Sequence, residues 1–182
     1  MLESAFHVDY RGRLGWADRF GSPQHTRRQA EQQRSARPGF SYMPQVMVNG
    51  RDWRGAPTLP VLDAKAPVQI DLRRLDERQV AARISAQRGA PTWPALWWAL
   101  LEDGHVSAVG AGENHGLALR HDHVVRQYGR LPAWGAAAGD NPLHESRVMA
   151  AQNGEGGRKV RLLVVVTDAA TGAPLQATQL GC

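Results

Sequence analysis

The sequence predicts an α/β N-terminal part, residues 1–66, joined to an antiparallel β-sandwich, residues 67–182. Three observations predict it. Residues 5–55 read in turn as strand, helix and hairpin, the order of an α/β unit. Beyond residue 67, short apolar alternations recur with two-residue turn signals between them, as in a small sandwich. The change between the two patterns falls near Lys65 to Pro67, and 182 residues are enough to bury a real core.

In the first part, Ala5-Phe6-His7-Val8-Asp9-Tyr10 alternates weakly and suits a central strand. Ser22-Pro23 supplies an N-cap and an N1 proline, so a helix is expected from Pro23 to about Ala36, stopping near Pro38-Gly39. Its apolar face is poor, with Ala30 and Ala36 almost the only candidates, so little stabilisation from burial is expected. Then come Pro44, a short strand with Val46 and Val48 on one face, the turn Asn49-Gly50, and a return strand closed by Gly55. Asn-Gly is a strong hairpin signal because both residues accept positive φ. Proline, strand, Asn-Gly and strand, in that order, resemble the hairpin beside the active site of thioredoxin-like folds. Gly55 to Pro60 breaks the pattern, and Val61 to Ala66 suits a stub of helix.

In the second part, Val68, Ile70 and Leu72 alternate, as do Val80, Ala82 and Ile84. Leu96 to Glu102 meets Asp103-Gly104 and returns through His105 to Val109, which reads as a hairpin. Lys159 to Thr167 is nearly continuous Val and Leu, the composition of a central strand. Asp168 to Gly172 turns it back toward Leu175 to Leu180. Pro132 to Asp140 and Asn153 to Gly157 read as loops.

The bulk numbers exclude several classes. No run approaches the roughly 18–20 apolar residues that cross a bilayer, so no membrane span is expected. Met1 opens almost directly into a strand-like segment, and no export signal is read in the sequence. The net charge is +5, yet the densest basic group, Arg27, Arg28, Arg34 and Arg37, lacks interleaved aromatics for stacking bases. It reads as a solvated face, and no nucleic-acid partner is expected. There is no phosphate loop and no nucleophile elbow, so no cofactor is expected.

His7-Val8-Asp9-Tyr10, Leu14-Gly15-Trp16, Ser22-Pro23, Arg28-Gln29 and Pro44 to Gly50 resemble a family of secreted bacterial proteins, the thioredoxin-like "domain of unknown function 1223". Gly112-Glu113-Asn114, Leu119 to Arg126 and Asp168 to Gly172 are similar to its second half. The resemblance implies a periplasmic or secreted location. It also implies a strand and a Cys-x-x-C helix ahead of the His-Val-Asp-Tyr strand, so this chain is expected to be truncated at its start. Arg11-Gly12 stands where the family has Trp-Asp, Met43 where it has Thr, and His25 where it has an aromatic. A sheet without its first strand leaves an unpaired edge, a possible interaction surface; partners are otherwise unknown.

The candidate site residues follow. Met43, Pro44 and Gln45 form the loop at which the resemblance implies a cis proline, against the trans state usual for X-Pro bonds. His7 and Asp9, two apart, share a strand face and could hold a metal or tune a thiol, although local backbone satisfaction is the commoner role. His121 and His123 share a face too, but no third ligand stands at suggestive spacing, so no metal site is expected. Cys182 is the only cysteine and the last residue, and dithiol exchange needs two. It reads as an idle thiol or an intermolecular partner. Trp93, Trp97 and Trp98 could stack a ligand; on a strand Trp97 and Trp98 face opposite ways, which favours packing. No catalytic residue is named. The expected function is an uncharacterised family protein without redox activity in this form. The alternatives are a periplasmic thiol-disulfide oxidoreductase, if a Cys-x-x-C segment lies upstream, and a binding module using the sandwich.

Overall fold

The computed structural model describes residues 2–10, 17–36, 42–55, 65–87, 89–111, 115–135, 143–149 and 154–181. Among them are one α-helix, α1 (Pro23–Ala36), and eleven strands. The strands are β1 (Met47–Val48), β2 (Arg51–Asp52), β3 (Val68–Arg74), β4 (Gln79–Ala86), β5 (Pro94–Glu102), β6 (His105–Ala108), β7 (Ala118–His121), β8 (Val124–Leu131), β9 (Leu143–Met149), β10 (Val160–Asp168) and β11 (Pro174–Gly181).

Two antiparallel sheets form the body. One runs β11-β10-β5-β8 and the other β3-β4-β9. They share a core in which Val68 and Ile70 of β3 and Val80 and Ile84 of β4 meet Leu96 and Leu100 of β5 and Leu162, Val164 and Val166 of β10. Continuous Val and Leu suits β10 because it is central, with a partner on each side and apolar groups on both faces. Its second face carries Leu163 and Val165, which join Ala99, Leu101, Val125 and Tyr128 in a second cluster. Asp168 turns the chain into β11 by accepting hydrogen bonds from the Ala170 and Thr171 N–H groups.

The N-terminal residues cover that second face. Phe6 packs on the second cluster, and the Ala5 N–H donates to the His123 carbonyl while its own carbonyl accepts from Val125. This single parallel bridge is the only ladder pairing of residues 4–8 among the described residues. α1 begins where Ser22 Oγ accepts from the Gln24 N–H, an N-cap. The helix then docks through His25 and Arg28 rather than through aliphatic side chains.

The α/β, thioredoxin-like expectation is thereby corrected. Among the described residues the chain is mostly β: the one α-helix there crosses no parallel strands, and residues 5–10 are not the centre of a sheet. The hairpin β1–β2 does form with its Asn-Gly turn, at φ of 51° and 76°, but as a separate two-stranded sheet. Two residues per strand are too few to extend a ladder, and the helix has no apolar stripe with which to cover one. The Asp103-Gly104 hairpin is also corrected. β5 pairs with β8 and β10 while β6 pairs with β7, so the turn carries the chain between two sheets. The expected helical stub over 61–66 lies largely outside the described residues.

Candidate functional site

A cavity of about 980 Å³ lies between residues 4–8, α1, the hairpin loop and the outer face of the four-stranded sheet. Its apolar lining includes Phe6, Val8, Leu96, Trp97, Leu163 and Val165. Met43, Pro44 and Gln45 border it, and the Met43–Pro44 peptide is cis. Met43 and Pro44 are exposed. Gln45 is tied down by Gln29, which donates to its Oε1 at 3.2 Å, and itself donates to Asp52 at 3.3 Å. Asp52 also accepts from Tyr42 and, at 2.7 Å, from Arg54.

His7 lines the cavity and is not paired with Asp9. Its Nδ1 lies 2.5 Å from Asp18 Oδ2, while Asp9 Oδ1 accepts from Thr26 Oγ1 at 2.6 Å. Burial works to raise the Asp18 carboxyl, but the His7 hydrogen bond and the Phe20 N–H outweigh it and hold it below the ordinary value. His25, buried in the cavity wall, sets Nδ1 at 3.0 Å from the His7 carbonyl, which makes Nδ1–H the donor. Nε2 is then the ring's lone-pair nitrogen, with no partner among the described residues. Burial pushes the His25 imidazole below its ordinary value, against the His7 hydrogen bond.

Behind this wall, Phe20 sits among three imidazoles, its ring centre 5.3 Å from His7, 4.8 Å from His105 and 5.5 Å from His121. His121 Nε2 is buried without a partner among the described residues, and burial pushes that ring down. The expected face-sharing of His121 and His123 does not occur. β7 ends at His121, and His123, at φ 56°, turns toward Glu3, Asp103 and Arg161. Sequence reading missed Phe20 and Asp18, because no local pattern marks either; they meet the histidines only through the fold.

Glu102, His105 and Glu155 bring three ligand-type atoms within 4.8 Å of one another. Arg19 Nη2 donates to His105 Nδ1 at 3.0 Å, so the ring proton is on Nε2 and points to Glu102 at 2.8 Å. Arg19 and Arg126 pair with Glu155, and Arg126 also lies 3.6 Å from Glu102. Two carboxylates face two guanidinium groups, so the charge is balanced by the protein and the ring nitrogens are both used. This is an ion-pair network that ties β5, β6 and β8 to the N-terminal segment.

Arg28 overturns the reading of a wholly solvated basic face. Its guanidinium carbon lies 4.5 Å from the Phe6 ring centre, 4.3 Å from Trp97 and 5.0 Å from Tyr128, and Nη1 donates to Tyr128 Oη at 2.9 Å. Trp97 and Trp98 do face opposite ways, Trp97 to this box and Trp98 to the inter-sheet core. Trp93 is 57% exposed. Cys182 lies outside the described residues.

Residues 1–167 match the model of the family described as "Protein of unknown function (DUF1223)". The chain belongs to this family. No curated protein matches it. Among solved structures it is similar to a β-glucosidase from Kluyveromyces marxianus in complex with glucose, at 10% identity and a TM-score of 0.25. That likeness covers 64% of this chain and 14% of the enzyme's, and carries no argument for either fold or activity. No helix among the described residues of this family member is long and apolar enough to cross a membrane.

Proposed function

We propose that this member of the DUF1223 family is a binding protein whose site is the cavity between residues 4–8, α1 and the Pro44 hairpin loop, without dithiol redox activity in this form. The observation that carries the reading is the cavity itself. At about 980 Å³ it has the size of a small-molecule site, with an apolar floor and a few polar groups at its wall, His25, Arg28 and Asp18 among them. The absence of redox turnover follows from the single cysteine, because exchange needs an attacking and a resolving thiol. A periplasmic or secreted location is part of the proposal and rests on the family resemblance; cell fractionation tests it.

The test uses N-phenyl-1-naphthylamine, a neutral apolar fluorophore. It is expected to bind the wild-type chain with a blue-shifted emission, and Ala177→Phe, which narrows the cavity, is expected to abolish the signal while leaving the circular dichroism unchanged. Undiminished binding to Ala177→Phe, or no binding to the wild type, refutes the site. Dithiol-dependent insulin reduction by the purified chain refutes the non-redox half.

A further inference from the structure

We propose that Arg28 is an anion-binding group at the wall of this cavity and that its ligand is a monocarboxylate carried on an apolar body. The inference rests on the cavity being a ligand site and names the ligand's class.

Arg28 is a half-buried cation enclosed by three aromatic rings. Among the described residues it pairs with no carboxylate; Nη1 is used by Tyr128, Nε is buried without a partner, and Nη2 has none. Glu31, one turn along α1, is engaged by Arg130 at 2.5 Å. Taking a guanidinium partly out of water is unfavourable. Contact with three aromatic faces offsets part of that cost, and a buried N–H left unmet adds to it. Loss of solvent pushes the Arg28 guanidinium below its ordinary value, against the favourable pull of Tyr128 and Glu31.

The neighbouring charges set the ligand's valence. Of the described acidic and basic side chains that line the cavity, Asp18 is hydrogen-bonded to His7 and Glu31 is paired with Arg130, which leaves Arg28 as the arginine without an ion pair. A single unpaired guanidinium favours a monoanion over a phosphate dianion. A carboxylate matches the guanidinium fork in geometry. Phe6, Trp97, Leu163 and Val165 beside it favour an apolar body.

Isothermal titration of octanoate and of octanol, its neutral counterpart, tests this on the full chain. The wild type is expected to bind octanoate at least ten-fold more tightly than octanol, with a preference that shrinks as salt is raised. Arg28→Met is expected to bind the two alike and to melt no lower than the wild type, since it removes a half-buried charge that has no ion pair. Arg28→Lys keeps the charge without the fork, and it is expected to retain a reduced preference, which decides the matter if Arg28→Met does not fold. Equal binding of octanol and octanoate to the wild type, or an undiminished preference in Arg28→Met, overturns the anion site and leaves the cavity reading standing. No binding of either compound to the wild type overturns both.

Discussion

Trp98 of β5 stands directly opposite Gly129 of β8, and its indole occupies the space that a side chain at 129 would fill. A Cβ built there would lie 2.5 Å from the ring. The cross-strand pair works because one partner has no side chain, which lets Trp98 lie flat against the inter-sheet core. Gly129→Ala is therefore expected to lower stability by about 1–3 kcal/mol, the usual cost of forcing a packed group aside. Chemical denaturation followed by tryptophan fluorescence checks it, and an unchanged midpoint would show that the indole yields freely.

The Asp18–His7 contact makes a second claim. Asp18→Asn replaces a carboxylate acceptor with a neutral amide and is expected to cost about 1.5–3 kcal/mol, the range for a hydrogen bond to a charged group. Because the Asp18 carboxyl is held below its ordinary value of 3.8, its stabilisation is present above the unfolded value and lost as pH falls through the folded one. The variant should thus lose stability at neutral pH and converge on the wild type in acid. Equilibrium unfolding at pH 7 and pH 3 measures both points.

Histidine burial sets a further pH dependence. His25 and His121 are both pushed below the ordinary 6.5, so the unfolded chain binds more protons than the folded one as pH drops. Stability is expected to be full above about pH 7 and to fall as pH passes down through the folded values. His25→Phe keeps the ring packed on Phe6, loses the bond to the His7 carbonyl, and should flatten this dependence. A melting-temperature profile from pH 8 to pH 5 reads it; an unaltered slope in His25→Phe would assign the titration elsewhere.

Glu102 is the buried carboxylate of the network behind the cavity wall, and it accepts from His105 while facing Arg126. Glu102→Leu leaves a buried imidazole N–H without an acceptor and a guanidinium short of charge. It is expected to cost about 3–5 kcal/mol, as when one partner of a buried pair is removed. Glu102→Gln, which can still accept from His105, is expected to cost less. Denaturation midpoints of the two variants give the order, and the reverse order would refute the assigned tautomer.

What the sequence by itself determined was local. Ser22-Pro23 sets the start of α1, and Asn49-Gly50 sets the hairpin turn. The Val-Leu run of β10 declares a strand buried on both faces, because caps, positive φ and apolar runs act within a few residues. Family membership was legible in the same way, from short motifs spread along the chain. Only the tertiary structure decided which strands pair. The Asp103-Gly104 signal permits a hairpin, but β5 finds more apolar surface between β8 and β10 than β6 can offer. Ladder partners are chosen by the area buried across the whole sheet, which no local window contains. The same limit hid the site. Phe6, Arg28, Trp97 and Tyr128 are up to 122 residues apart, and an arginine reads as solvated until folding lays three rings around it.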